Sequence, residues 1–353
     1  MRRFLAITLA ALLTLALPVA AQEDALSPLP VLNIETDAIS VMGVSSGGYM
    51  ATQLAVAWPE LFSGLAAFAA GPWGCARGEL SLALGQCMGT RHGLPSPTAL
   101  DSRYARYLAQ GLVGEPSALA EQRVYLWHGG ADEVVDPHLA EQLADQYRGW
   151  LADPETQLKA ATNPNAAHGW PVAATRAPGV ELADCAQGGN PHLLACYQDG
   201  AGQALQWLYG ERVTPPEGGG RGMLRSFDQI AFYDGLADEG YVYIPKTCEE
   251  GAPCALIVAL HGCEMSATQI GKTFVRHTGL NEWAAENRLV VLYPQAESSL
   301  PNPLACWDWW GYDESLWELD PLHDSRKGQQ AQALKTMVEQ IAGLAPPQNP
   351  ERH

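Results

Sequence analysis

The residues best suited to chemistry lie in a glycine-rich segment near the start of the chain. Residues 43–47, GVSSG, match the pattern G-x-S-x-G, between an apolar run that predicts a buried strand (38–44) and a segment that predicts a helix (49–58). Glycines beside a serine permit a tight strand-to-helix turn, and N–H groups at a helix N-terminus can stabilise an oxyanion. We therefore predict that Ser45 is a nucleophile and that the N–H of Ser46 is an oxyanion donor. The alternative is an ordinary glycine-rich turn with a capping serine.

A carboxylate that could assist the serine follows another predicted strand. The apolar run over residues 123–128 leads through two glycines to Asp132. A catalytic serine needs a base, and a histidine fills that role when a carboxylate fixes its tautomer. We predict Asp132 as this carboxylate, ahead of Glu133 and Asp136, because it comes first after the strand. Its alternative role is to form the turn or to cap the next helix.

His168 is the histidine that best fits the base. It lies in a loop flanked by proline and glycine, after a segment (157–161) that could form a strand, and it follows the acid in the chain. The serine, the acid and this histidine then occur in the order that α/β-hydrolases share. Among the eight other histidines, His128 at the end of a strand and His138 at a helix start are predicted to be structural.

A second oxyanion donor is predicted far along the chain. A continuous apolar run over residues 255–260 ends in His261-Gly262-Cys263. Hydrolases of this class take their second N–H donor from such an HG-type loop after an early strand, so this loop is the candidate. This loop follows the predicted triad instead of preceding it. Its alternative role is an ordinary turn after a strand.

Apolar strands alternate with helical segments along the chain. This alternation predicts an α/β protein with a mostly parallel sheet and helices on both faces. Active sites of such sheets lie at the carboxyl ends of the strands, and the predicted catalytic residues all follow strands. The segment 211–222, ERVTPPEGGGRG, predicts a linker, and residues 71–120 predict an insertion over the sheet edge.

The N-terminus indicates an exported protein. Residues 1–21 contain two arginines, then an apolar block, then two alanines, which predicts a signal peptide cleaved after Ala21. A membrane anchor is the alternative, although the apolar block is short for a membrane span. Residues 22–353 are then expected to form one catalytic domain, either periplasmic or secreted.

Eight cysteines in an exported chain predict disulfides, although the sequence does not fix their pairing. Near neighbours in the chain give Cys75–Cys87, Cys185–Cys196 and Cys248–Cys254, which leaves Cys263 and Cys306. The alternative is a zinc site, but no C-x-x-C pair is present, and we predict neither a metal nor a cofactor. The formal net charge of −18 argues against nucleic acid or an anionic surface as a partner.

Several short motifs resemble one enzyme family. They are LHGC at 260–263, Asn281, LYPQ at 292–295, CWDWW at 306–310 and the serine segment GVSSGGYM at 43–50. Together they resemble the polyhydroxybutyrate depolymerases and the related feruloyl esterase-like carbohydrate esterases. The resemblance covers most of residues 38–345, and the CWDWW block is its most specific part.

The order of these motifs resembles that of circularly permuted, single-domain members of the family. In most members the HGC segment precedes the serine segment, whereas here it follows. Moving residues 228–342 ahead of residue 38 would restore the usual order. The predicted helix over 328–342 would then lead into the strand before Ser45, and the linker 211–222 would join the original ends.

The resemblance implies a serine esterase with an α/β-hydrolase fold. It implies Ser45 as nucleophile, His168 as base and Asp132 as its partner, with the N–H groups of Ser46 and Cys263 as the oxyanion hole. It also implies a disulfide between the cysteine of that loop and the one that opens the tryptophan block.

The implied substrate is a polyester polymer or oligomer, cleaved without a cofactor by a chain expected to be a monomer. An aliphatic polyester suits an apolar, aromatic-walled crevice. The candidate substrate-binding residues are Trp307, Trp309, Trp310 and His261, although any one of these tryptophans could instead belong to the core. The alternatives are a feruloyl or acetylxylan esterase, an esterase for another polyester, and a non-catalytic polymer-binding protein with this fold.

Overall fold

Eleven strands and twelve α-helices form the part of the chain that the computed structural model describes, residues 26–344 without 174, 176, 178 and 315–319. The predicted signal peptide, residues 1–21, lies outside the described residues. The strands are β1 (Ile34–Val44), β2 (Gly64–Phe68), β3 (Arg123–Gly129), β4 (Leu158–Asn163), β5 (Trp170–Val172), β6 (Ala183–Asp184), β7 (Leu193–Ala195), β8 (Gly222–Asp228), β9 (Glu239–Pro245), β10 (Cys254–Leu260) and β11 (Leu289–Tyr293). The helices are α1 (Ser46–Ala57), α2 (Leu80–Gln86), α3 (Pro97–Ala109), α4 (Pro116–Leu119), α5 (Pro137–Trp150), α6 (Pro154–Gln157), α7 (Gly200–Tyr209), α8 (Lys246–Glu249), α9 (Ala267–Ile270), α10 (Thr273–His277), α11 (Leu280–Asn287) and α12 (Gln329–Ile341).

One eight-stranded sheet joins strands from both halves of the chain. Its order is β4-β3-β2-β1-β10-β11-β9-β8, and all neighbours are parallel except β9, which runs antiparallel to both β11 and β8. A small second sheet has the order β5-β7-β6. The prediction of a mostly parallel α/β sheet is confirmed. Within the described residues, no helix is both long enough and apolar enough to cross a membrane.

The central strands have apolar residues on both of their faces. On β10, Leu256 and Val258 pack into one core together with α1 and α12, whereas Ile257 and Ala259 pack into the other core together with α7 and α11. Successive strand residues point to opposite faces, so a strand covered by helices on both sides needs an unbroken apolar run. This pattern explains why the sequence 255–260 predicted β10 almost to the residue.

The two ends of the described chain lie side by side. The N–H of Leu32, just before β1, donates to the carbonyl of Ile341, the last residue of α12, at 2.8 Å. A circular permutation requires this proximity, because in the unpermuted order the end of α12 would continue into β1. The linker expected over 211–222 runs from a single 3-10 turn at Gly210–Arg212 to the start of the edge strand β8.

Two features of the fold differ from the sequence prediction. The segment 71–120, expected over the sheet edge, contains α2, α3 and α4, and α2 lies at the crevice that opens beside Ser45. Strand β8 had no counterpart among the predicted elements. The first five residues of this edge strand alternate between partly buried and exposed, and Phe227 is its one fully buried residue. Its sequence therefore lacks the apolar run that marks the central strands.

Substitution of one buried residue tests whether α12 is an integral part of the core. Leu334 is fully buried on this helix, so Leu334→Ala should lower the free energy of unfolding by about 2–5 kcal/mol through lost burial and a residual cavity. The matched control, Gln332→Ala on the exposed face of the same helix, should change it by less than about 0.5 kcal/mol. Urea unfolding followed by circular dichroism measures both, and equal small effects would contradict the packing described.

Candidate active site

Ser45 occupies a sharp turn between β1 and α1. Its backbone has φ 56° and ψ −123°, a left-handed conformation that is strained for a residue with a side chain. Its N–H donates to the carbonyl of Phe68 at the end of β2, at 2.9 Å. A Cβ atom on Gly47 would lie 2.3 Å from the carbonyl oxygen of His261, so only glycine lets α1 approach β10 this closely. The turn therefore has the geometry of a nucleophile elbow.

Asp132 lies in the loop after β3 with its carboxylate fully hydrogen-bonded. Oδ1 accepts the N–H groups of Val134 and Val135 at 2.8 and 2.9 Å, and Oδ2 accepts Nδ1–H of His168 at 2.8 Å. Burial raises the pKa of the Asp132 carboxyl, but hydrogen bonds from His128 and His168 outweigh it and hold that pKa well below its usual range. Asp132 is therefore a buried, ionised carboxylate.

His168 follows β4 and borders the same crevice as Ser45. Because its Nδ1–H is held by Asp132, Nε2 is the nitrogen that can take a proton from a serine. The loop that carries it is fixed on both sides, since Ala167 N–H donates to Cys185 O at 2.7 Å and Trp170 N–H donates to His192 O at 2.8 Å.

The competing acids have other surroundings. Asp136 caps α5 by accepting the N–H of His138 at 3.0 Å, and it also accepts the hydroxyl of Thr90. Glu133 is exposed. Of the three carboxylates weighed in the sequence, only Asp132 contacts His168.

The loop after β10 lies against the serine. A Cβ atom on Gly262 would lie 3.2 Å from the Cβ of Ser45, and both Ser46 and Cys263 border the crevice. The N–H of Ser46 belongs to the first turn of α1, where no intrahelical acceptor exists. Both residues therefore lie at the crevice beside Ser45, and the assignment of their N–H groups as oxyanion donors stays a prediction.

His261 is a structural residue of this loop, contrary to the expectation that it binds substrate. Its side chain is fully buried and does not border the crevice. Nδ1–H donates to the carbonyl of Gly262 at 2.7 Å, and Nε2 accepts the N–H of Ala296 at 3.1 Å. Burial lowers the pKa of His261 to about 4, so the ring is neutral near neutral pH and can fill both roles.

The three tryptophans of the CWDWW block have different positions. Trp307 is fully buried, and its Nε1–H donates to the carbonyl of His261 at 3.0 Å, so the expectation that it contacts substrate is also wrong. Trp309 and Trp310 do border the crevice. Trp309 stacks on Tyr49, with ring centroids 4.3 Å apart, and Tyr49 in turn donates its hydroxyl to the carbonyl of Cys87.

The crevice beside Ser45 has a volume of about 300 Å³ and mainly apolar walls. Most of its wall residues were not predicted, because they come from segments far apart in the chain. They include Leu80, Ala83, Leu84, Met88, Val134, Met265, Pro301, Pro303 and Leu304. The sequence offered one signal, the spacing of Leu80 and Leu84 by one helical turn, and the structure leaves both side chains exposed on α2.

Polar contacts are few in the crevice outside the predicted triad. His192 packs edge-on to the ring of His168, with centroids 6.3 Å apart, and its Nε2 lies 3.5 Å from Oε2 of Glu264. Burial, followed by the charge of His168, lowers the pKa of His192. This pair connects the loop that carries the base with the loop that carries Cys263.

Four disulfides join the described residues, in the pairs Cys75–Cys87, Cys185–Cys196, Cys248–Cys254 and Cys263–Cys306. The last of these ties the loop of Cys263 to the tryptophan block. The described residues include no group of three or more His, Cys, Asp or Glu side chains arranged to hold a metal ion.

Comparison with known proteins finds relatives over most of the chain, although no protein-family model matches it. A polyhydroxybutyrate depolymerase from Talaromyces funiculosus is 35% identical over 307 residues, which are 83% of this chain and 87% of that protein. A poly(3-hydroxybutyrate) depolymerase from Delftia acidovorans is 34% identical over 335 residues, 90% of this chain but 63% of that longer protein. The solved structure of a serine-to-alanine variant of a PHB depolymerase, complexed with an R3HB trimer, is 32% identical and matches with a TM-score of 0.81 over 91% of this chain and 100% of that one.

Removal of the disulfide at the crevice tests whether it positions the loop of Cys263. The double variant Cys263→Ser/Cys306→Ser keeps the backbone N–H at 263 but frees the loop, so we expect kcat for ester hydrolysis to fall about 10- to 100-fold. The control Cys248→Ser/Cys254→Ser opens a loop that does not border the crevice and should keep kcat. The free energy of unfolding should fall in both variants, by about 2–4 kcal/mol. Rates are therefore compared at a temperature well below the unfolding transition of either variant. Equal losses of kcat would contradict the positioning role.

Proposed function

The chain belongs to the polyhydroxybutyrate depolymerase family, and from that premise we propose that it is a serine esterase that hydrolyses poly(3-hydroxybutyrate) or its oligomers. The observation that carries the proposal is an apolar crevice that has a strained serine and a histidine–aspartate pair at one end. The similarity to a depolymerase structure with an R3HB trimer bound supports the choice of substrate.

The proposed chemistry proceeds through an acyl-enzyme. Ser45 Oγ attacks the ester carbonyl as its proton passes to Nε2 of His168, and Asp132 stabilises the resulting imidazolium. The N–H groups of Ser46 and Cys263 stabilise the oxyanion of the tetrahedral intermediate. His168 then protonates the leaving hydroxyl end of the polymer. A water molecule, activated by the same histidine, releases the acyl fragment and regenerates the serine.

The walls of the crevice suit a polyester chain. Such a chain has methyl and methylene groups and ester carbonyls but no charge along its length. Trp309, Trp310 and the surrounding aliphatic side chains provide apolar contact area, and aromatic rings do so at a low cost in conformational entropy. A carbohydrate substrate would require more hydrogen-bonding groups beside the tryptophans than this crevice presents.

We further propose that the protein is exported and acts as a monomer without a metal or cofactor. The disulfides fit an oxidising compartment, and the predicted signal peptide over residues 1–21 would supply the route. The net charge of −18 argues against nucleic acids or anionic membranes as partners. The same charge keeps the protein soluble beside a neutral polymer.

The catalytic assignment is tested on an amorphous poly(3-hydroxybutyrate) suspension. We expect the wild type to release soluble 3-hydroxybutyrate products. Ser45→Ala should lose nearly all of this activity, about 10⁴-fold or more, and Asp132→Asn about 10⁴-fold, because the imidazole then lacks its orienting carboxylate. Asp136→Asn, which alters the carboxylate that caps α5, should keep the rate within a few-fold.

Two results would overturn parts of this proposal. Hydrolysis of methyl ferulate without any clearing of polymer would retain the serine mechanism but assign the chain to the carbohydrate esterases. Binding of polymer without hydrolysis, and without labelling of Ser45 by a fluorophosphonate, would favour the non-catalytic polymer-binding protein.

Adsorption to solid polymer is proposed to use the exposed apolar side chains beside the crevice. Leu300 is 99% exposed and directly precedes the wall residue Pro301. Leu300→Glu should weaken adsorption to a polymer film about tenfold, since burying a leucine contributes about 1.5–3 kcal/mol, while hydrolysis of a soluble ester is retained. Met223→Glu, an exposed position on the edge strand β8, is the control. A depletion assay with polymer film measures binding, and equal binding by both variants would refute this surface.

A further inference from the structure

A second imidazole contacts the carboxylate of Asp132. His128 lies near the end of β3 and is only 3% exposed. Its Nε2 lies 2.8 Å from the carbonyl oxygen of Val135 and 3.3 Å from Oδ2 of Asp132. Both neighbours are hydrogen-bond acceptors, so Nε2 must carry the proton. Nδ1 is buried and has no hydrogen-bond partner among the described residues.

Oδ2 of Asp132 therefore receives two imidazole N–H groups. One is Nδ1–H of His168, at 2.8 Å, and the other is the longer contact from His128, at 3.3 Å. The His128 N–H is shared between Asp132 and the carbonyl of Val135, whose own N–H donates to the other carboxylate oxygen. His128 thus hydrogen-bonds both to the carboxylate of Asp132 and to the loop that carries it.

We propose that His128 is a positioning residue of the ester hydrolysis assigned above. Its N–H fixes the orientation of the Asp132 carboxylate, and by donating to that carboxylate it weakens the electrostatic attraction between Asp132 and His168. The inference rests on the proposed function, because it concerns the base of that reaction. His128 does not border the crevice, so it acts through Asp132 and not on substrate.

The proposal has a consequence for the pH dependence of catalysis. Without the His128 N–H, the carboxylate of Asp132 has fewer donors and stabilises the imidazolium of His168 more strongly. The acid limb of kcat/KM is therefore expected to move to higher pH. The other ionisable groups around this pair are unchanged by the substitution. One is Tyr49 on α1, whose pKa is raised by burial and then by the charge of Asp132. The others are His192, which packs against His168, and Glu264, which contacts His192.

The test compares three variants on a soluble 3-hydroxybutyrate trimer and on p-nitrophenyl butyrate. His128→Leu removes the donor but fills similar space. We expect kcat to fall about tenfold with KM unchanged, and the acid limb to move up by about half a pH unit to one pH unit. His128→Gln can place an amide N–H near the position of Nε2 and should restore the wild-type limb and most of kcat. The control is His138→Gln, an exposed histidine at the start of α5, which should match the wild type.

A proton NMR measurement supplies a readout that does not depend on activity. The low-field resonance of the His168 Nδ1–H should shift further downfield in His128→Leu. Without the second donor from residue 128, the hydrogen bond from His168 to Asp132 becomes stronger. In the wild type, ¹⁵N-histidine labelling should show His128 protonated at Nε2 and not at Nδ1. This last measurement remains decisive if the leucine variant fails to fold.

The outcomes separate this inference from the proposed function. A wild type that hydrolyses no ester refutes the function, and the NMR signals then still show whether His128 donates to Asp132. An active wild type whose leucine variant loses rate equally at all pH values, without rescue by glutamine, refutes the positioning role. A His128 protonated at Nδ1 refutes it as well.

Discussion

The close approach of α1 to β10 is the constraint on which the rest of the structure depends. At Gly47 the backbone of the helix lies so near the carbonyl oxygens of Leu260 and His261 that no side chain fits between them. This contact sets Ser45 beside Gly262 and places the first N–H groups of α1 next to the loop of Cys263. Two further features fix that loop: the buried His261 accepts a hydrogen bond from Ala296 and donates one to Gly262, and the Cys263–Cys306 disulfide ties the loop to the tryptophan block.

The site divides into a polar end and an apolar wall, and the two are supported in different ways. The polar end depends on hydrogen bonds in a buried setting, where Asp132 has a partner for each of its oxygens. The apolar wall depends on ring packing, because Trp309 stacks on Tyr49 and meets Trp310 edge-on. A reaction that develops charge near the serine while holding a neutral chain requires both kinds of surroundings.

Secondary-structure elements could be predicted where a few neighbouring residues determine them, as at a helix cap or in an apolar strand. The helix start expected at His138 is one example, because Asp136 caps α5 and Pro137 begins it. The central strands were found because burial on both faces demands continuous apolar runs. The elbow was accessible from its glycines. Three disulfides join near neighbours in the chain, whereas the bond between Cys263 and Cys306 was implied by the family resemblance.

The predictions that failed concerned the three-dimensional surroundings of a residue, which cannot be inferred from its type. Trp307 and Trp309 are two positions apart and chemically identical, yet one packs on His261 inside the core and the other borders the crevice. His261 was expected to bind substrate because it lies in the loop after β10, but its side chain is fully buried. The edge strand β8 and the walls formed by α2 and residues 301–304 arise from contacts between distant segments.

The strand order also determines when the site can exist. β1 carries the serine and is synthesised first, but its neighbour β10 and the loop of Cys263 come from the other side of the linker. During synthesis the proposed oxyanion donor of Cys263 is therefore absent beside Ser45 until β10 and its loop have emerged and paired with β1. Contacts between such distant segments form late and slowly in folding. This order of segments thus delays assembly of the proposed site until β10, the loop of Cys263 and its disulfide partner Cys306 have all been synthesised.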